Sequence, residues 1–116
     1  MINYQKLLDK LEEQKITSYV IRQKALIPQS TLTKFRMCSV NEEERKAHEG
    51  KSDFEIIAYK LEEYKNTHNG NEFKTDVSTK TIEDICQLLQ CQPQDIMEWE
   101  VELNPELSYA SKYGMK

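Results

Sequence analysis

The chain has 116 residues, room for one domain with a single modest core, and its 31% charged and 38% hydrophobic residues with only three Gly and three Pro suit charged-surfaced helices rather than a turn-rich β fold. No stretch approaches the roughly 20 consecutive apolar residues of a membrane span. A net charge of −4 excludes a chain that is basic all over, so any contact with nucleic acid must come from a local cluster of cations.

The first element is predicted as a helix from about Asn3 to Gln14, because Tyr4, Leu7, Leu8 and Leu11 recur on one face. The same N-terminal run lacks the apolar centre of a secretory signal, so a cytoplasmic location is expected. Thr17 is a natural N-cap for a second helix over Ser18 to about Ala25, with Val20, Ile21 and Ala25 turned inward. Leu26, Ile27 and Pro28 interrupt it, since proline offers no amide hydrogen and restricts the residue before it. A third helix then starts at Pro28 or Gln29. Leu32 and Phe35 anchor it, leaving Gln29, Ser30, Thr31, Thr33, Lys34 and Arg36 polar. Two short helices joined by a tight break, the second with a polar outer face, form a helix-turn-helix pattern.

Charge sharpens that reading. Residues 15 to 36 hold Lys15, Arg22, Lys24, Lys34 and Arg36 and no acid, a local +5, while residues 1 to 14 sum to −1 and residues 37 to 76 and 77 to 116 to −4 each. A basic island in an acidic chain is what a protein needs if one face meets DNA and the others repel it.

Beyond the island, Val40 to Glu49 is charged and has little to bury; it is either a weak solvated helix or a continuation of the third. Ser52-Asp53-Phe54-Glu55 is a capping box that starts a helix with Phe54, Ile57, Ala58, Leu61 and Tyr64 on one stripe, stopped at Asn69-Gly70. That stripe either packs back on the bundle or serves a dimer or partner contact. Ser78 caps a further helix with an Ile82, Ile85, Cys86, Leu89 stripe, Pro93 opens a short one through Met97, and Trp99 and Val101 close the core. The tail from Glu102 to Lys116 shows no sustained period and is expected to be extended or disordered. Cys38, Cys86 and Cys91 are odd in number and without CxxC spacing, which predicts free thiols, and with His48 and His68 they match no structural zinc pattern. Neither a glycine-rich phosphate loop nor a nucleophile motif occurs, so no enzyme, cofactor or metal is expected.

The stretch ITSYVIRQKALIPQSTLTKFR, taken with VSTKTIEDICQLLQCQPQDIMEWE, resembles the lambda-repressor-like helix-turn-helix family of the Cro/Xre type. The residues that carry the likeness are Ile27, Ser30, Thr31 and Leu32, then Val77 and Ser78, then Cys91, Pro93, Asp95 and Ile96, in the family's order over about half the chain. The resemblance implies an all-α, five-helix bundle in which the helix at about 29 to 36 enters the major groove of double-stranded DNA, with the protein acting as a transcriptional regulator, a repressor and dimeric on DNA. It places Gln29, Ser30 and Lys34 toward base edges and Thr17, Thr31, Thr33 and Arg36 toward phosphates. The family's turn glycine falls at Leu26 and its small inter-helix residue at Arg22. The divisions expected are a DNA-binding domain over 1–100, interrupted by a helical insertion at 37–76 between the third and fourth helices, and a tail over 101–116. The acidic insertion gives the alternative reading of a protein-interaction module, a phage-type inhibitor or antitoxin-like protein that binds a partner through 37–76.

Overall fold

A computed structural model of the chain describes residues 1–114 and is mostly helical, with one two-stranded sheet. In chain order it comprises β1 (Ile2–Asn3), α1 (Gln5–Glu13), α2 (Ser18–Gln23), α3 (Gln29–Met37), α4 (Glu42–Ala47), α5 (Asp53–Thr67), α6 (Thr79–Leu89), β2 (Glu98–Trp99) and α7 (Tyr109–Tyr113), with 3-10 turns at Pro93–Asp95 and Pro105–Leu107. No helix among the described residues is long and apolar enough to cross a membrane.

One contiguous core joins these elements. Tyr4, Leu7 and Leu11, then Ile21, Ile27, Leu32 and Phe35, Val40, Ile56 and Ile57, and finally Ile82, Ile85, Leu89 and Ile96 are all buried in it. Tyr4 lies against Phe35, with ring centroids 4.6 Å apart and planes tilted by 57°, an arrangement that aromatic quadrupoles favour over face-to-face stacking.

Helix starts follow the sequence signals. Thr17, Ser52 and Ser78 each accept an amide hydrogen bond from three residues on, and Ser52 with Glu55 forms the full capping box. Of the two readings of residues 40 to 49, the solvated helix holds and the continuation of α3 does not: Glu42–Ala47 is a separate short helix that buries none of its residues. Asn41 and Glu44 form a second capping box that starts the separate helix α4.

Helix ends are less legible. α1, α2 and α6 all stop in Schellman turns whose left-handed residue is not glycine: Lys15 at φ 60°, Ala25 at φ 51° and Gln90 at φ 53°. In each, the next residue's amide reaches back five positions, Ile16 to Leu11, Leu26 to Ile21 and Cys91 to Cys86. Leu26 therefore does not take the strained conformation; Ala25 does, and it is exposed instead of turned inward. Ala25→Gly is expected to stabilise the fold by about 0.5–1 kcal/mol, because a left-handed alanine costs more than the extra freedom glycine gives the unfolded chain. Thermal or urea unfolding checks it; a neutral or destabilising result would show that the turn is not strained.

Three further expectations change. Asn3 belongs to a strand, with its side-chain oxygen accepting the Gln5 amide at 2.9 Å just before α1 begins. β1 and β2 pair antiparallel, Ile2 with Trp99 and Asn3 with Glu98, and Met1 and Glu100 extend the ladder. This pairing turns Trp99 and Val101 out to solvent, not into the core. The tail carries a 3-10 turn and α7 where extended or disordered chain was expected, and its last two residues lie outside the described residues. Every residue from Glu98 to Tyr113 is exposed. The long axis of 57 Å and the radius of gyration of 16.7 Å, against about 13 Å for a compact chain of roughly this length, fit a projecting arm.

Candidate nucleic-acid interface

α2, the Ala25 turn and α3 form two rods joined by a tight break. Leu32 and Phe35 hold α3 to the core, while Gln29, Ser30 and Thr33 are exposed on its opposite side, at a spacing that puts them on one face. Pro28 precedes α3 and supplies no side-chain cap, so the first amides of this nine-residue helix point outward.

The other expected residues are placed individually. Thr17 caps α2, its hydroxyl accepting the Val20 amide at 3.3 Å. Thr31 is half-buried, and the Thr33 hydroxyl donates back to the Gln29 carbonyl at 2.9 Å. Arg36, at the far end of α3, donates to the Ser18 hydroxyl at the start of α2 and bridges the two rods. Lys34 is half-buried, and its ammonium donates to the Asp76 carbonyl at 2.7 Å, just ahead of α6. Gln29 and Ser30 thus stand open to a ligand, whereas Lys34 would have to exchange one carbonyl for another acceptor. Such an exposed exchange costs no more than about 1 kcal/mol.

Electrostatics separate this face from the rest. Among the described residues the ion pairs lie elsewhere, at Lys6–Glu98, Arg45–Asp53, Lys60–Glu44, Lys65–Glu72 and Lys80–Asp84. Lys15, Arg22, Lys24, Lys34 and Arg36 have no acidic partner among the described residues, and the Arg22 side chain stands out to solvent. Unneutralised cations in one acid-free stretch of an acidic protein raise the positive potential near it.

Behind α3 is a polar knot that sequence reasoning missed. The Lys60 ammonium donates to the Arg36 carbonyl at 3.0 Å and the Ser39 carbonyl at 2.8 Å, and pairs with Glu44 at 2.8 Å. The Cys38 carbonyl accepts the Tyr4 amide at 2.7 Å, and the Val40 amide donates to the Gln5 side chain at 3.1 Å. Buried Ser39 donates to the Arg36 carbonyl at 2.8 Å. α3 is thereby tied at its C-terminal end to both α1 and α5, which fixes the direction in which Gln29 points. Local sequence gives no hint of the ties that Lys60 and Gln5 make to the two carbonyls and the Val40 amide, because those partners lie 21 to 35 positions apart.

The remaining titratable groups are structural. Burial pushes the Cys38 thiol above its usual range against the opposing pull of Lys60 and the chain's amino terminus. Burial, then the neighbouring Cys91, raises Cys86 as well. Both are protonated small hydrophobes at neutral pH. His48 packs on Tyr59 and His68 stacks on Tyr64 at 3.7 Å between ring centres. Among the described residues no three His, Cys, Asp or Glu side chains converge as metal ligands.

No curated protein and no solved structure matches the chain. One family model does, described as a Cro/C1-type HTH DNA-binding domain, over residues 63–102. The matched stretch begins within α5 and continues through α6, the Pro93 turn and β2, downstream of α2 and α3. Residues 63–102 are thus similar to a Cro/C1-type HTH DNA-binding domain.

Proposed function

We propose that the protein is a sequence-specific DNA-binding transcriptional regulator that reads the major groove with α3. The observation that carries this reading is the exposed Gln29, Ser30 and Thr33 face of α3, in a stretch of chain from 15 to 36 whose five cations meet no acid among the described residues. The Cro/C1-type match at 63–102 supports it from the other side of the bundle. Gln29 suits a bidentate contact with adenine and Lys34 a donation to guanine. Ser30, beside Gln29 at the start of the helix, faces base edges too, while Thr17, Thr31, Thr33 and Arg36 contact phosphates and set the register. The DNA-binding unit spans 1–100 as five bundle helices, α4 and α5 are an insertion at 37–76, and 101–116 is a tail. Occupying an operator is sufficient for repression, so the regulator is a repressor, and two copies on paired half-sites supply the specificity that one short helix lacks. The alternative of a partner bound through 37–76 draws no support from α5, whose isoleucines are enclosed in the protein's own core.

Selection from a random duplex pool at two salt concentrations tests the proposal. The expected result is one enriched sequence, bound in the nanomolar range and steeply weakened by salt. Gln29→Ala should relax preference at one base position by about tenfold, and adding Lys34→Ala should relax a second. Natively folded protein that enriches nothing would end this reading.

A further inference from the structure

α6 ends where two of the chain's three cysteines meet. Gln90 takes the left-handed conformation, and the Cys91 amide then donates back to the Cys86 carbonyl at 3.0 Å. In a turn of this kind the side chains at the two ends of that hydrogen bond meet across it. Bond lengths and the 3.0 Å contact together keep the two Cα atoms within about 7 Å, the separation beyond which a disulfide cannot close without moving the backbone. Both residues also line one cavity of about 570 Å³ that opens to solvent beside the Pro93 turn. Cys86 packs in the core, whereas Cys91 is half-buried at its margin. Burial, then the charge of Cys91 and a hydrogen bond between the two thiols, holds the Cys86 thiol above its usual range. Cys38 caps the far end of α3 and takes no part in this turn.

We propose that Cys86 and Cys91 form a reversible oxidation site, closed to an intramolecular disulfide by a low-molecular-weight disulfide and reopened by excess thiol. The Cys91 thiolate, reached through the cavity, attacks one sulfur of the reagent; a mixed disulfide forms and one reagent thiolate leaves. The Cys86 sulfur then attacks the Cys91 sulfur and the second reagent thiolate leaves, so the two protons given up by the cysteines end on the two released thiols. Proximity drives the second step, since the turn holds Cys86 against Cys91 whatever the reagent. Among the described residues that line the cavity are two carboxylates, Glu83 and Asp95, and no cation. The site therefore accepts a cationic disulfide faster than an anionic one. Closure ties the last turn of α6 to the Pro93–Asp95 turn, and Ile96 just beyond that turn is fully buried, so the new bond clamps one end of the core.

The test is incubation of the full chain with millimolar cystamine, a cationic disulfide, followed by alkylation under denaturing conditions and intact mass measurement. The expected result is loss of two hydrogens, with Cys38 alone alkylated where the reduced chain has three thiols, and with Cys86 linked to Cys91 in the peptide map. Dithiothreitol should restore all three. The oxidised chain should melt about 5 °C higher than the reduced one. Oxidised glutathione, which is anionic, should close the pair at least about threefold more slowly at low salt, and the gap should narrow as salt is added. Cys86→Ala keeps a small apolar residue in the core and should stop at the mixed disulfide on Cys91. Cys91→Ser alters a half-exposed position and should leave Cys86 unmodified while the protein is folded. A wild-type chain that retains three thiols, ends as the mixed disulfide, or links Cys38 or a second chain overturns the proposal. So does an oxidised form that melts no higher than the reduced one, or a glutathione disulfide that reacts as fast as cystamine. No measurement contains DNA, so this proposal and the DNA-binding reading stand or fall separately.

Discussion

Ile56→Ala and Ile57→Ala are each expected to lower the unfolding free energy by about 2–5 kcal/mol, the range for emptying a buried isoleucine site. Both residues have no solvent exposure and sit in one cluster with Tyr4, Phe35 and Val40. α5 is therefore a wall of the core and not a lobe attached to it. Deleting residues 37–76 should uncover that wall and leave a chain without a cooperative transition, so a deletion would abolish DNA binding by unfolding the reader. Point variants separate the effects. Ala58 is exposed on the other side of α5, and Ala58→Ser should leave stability within about 0.5 kcal/mol of the parent. Urea denaturation followed by circular dichroism reads all of these. A deletion that folds cooperatively, or an Ile57→Ala that costs less than about 1 kcal/mol, would show that the bundle closes without α5.

The pair Ile56 and Ala58 also marks where sequence reasoning ran out. Apolar spacing on α5 selects Phe54, Ile57, Ala58, Leu61 and Tyr64, which leaves out Ile56 and turns Ala58 inward; the helix is rotated so that Ile56 is buried and Ala58 is not. The rotation follows from Lys60, a residue that binary patterning sends to solvent but that here turns in to meet three oxygens. Similar reasons explain the rest. Helix starts were legible because Thr17, Ser52 and Ser78 bond within three residues of themselves. The stops at Lys15, Ala25 and Gln90 were not, because the apolar residues Ile16, Leu26 and Cys91 mark them in place of glycine. β1 and β2 escaped notice because two-residue strands have no period, and their partner lies at the opposite end of the chain. Of the candidate interface, the polar face of α3 could be read directly from Leu32 and Phe35. The tether between Lys34 and Asp76 spans 42 positions and could not be.

Lys60→Met is expected to cost about 2–3 kcal/mol, more than any surface ion pair, because it strips a cation and three partners' hydrogen bonds from a helix end where only the Arg36 carbonyl keeps another donor, the Ser39 hydroxyl. The ammonium has three donors, and the carbonyls of Arg36 and Ser39 and the Glu44 carboxylate take all three. Its side chain is 17% exposed and that of Glu44 27%, so water screens the pair only in part. The Arg36 carbonyl belongs to the last turn of α3 and the Ser39 carbonyl follows it, where the helix dipole is negative and a cation is favoured. Methionine preserves the length and packing of the stem, so the variant removes charge and hydrogen bonds without opening a cavity. The loss should be local before it is global: the amides of Cys38 and Val40 should exchange faster with solvent than those of α6, while Arg45→Ala, at an exposed pair, should change stability by no more than about 0.5 kcal/mol. A freer α3 also aims Gln29 less well, so Lys60→Met should weaken operator binding at a temperature where the protein is still fully folded. Unchanged amide exchange at Cys38 and Val40 would mean that α3 is held by its apolar contacts alone, and that Lys60 contributes nothing to presenting the reading face.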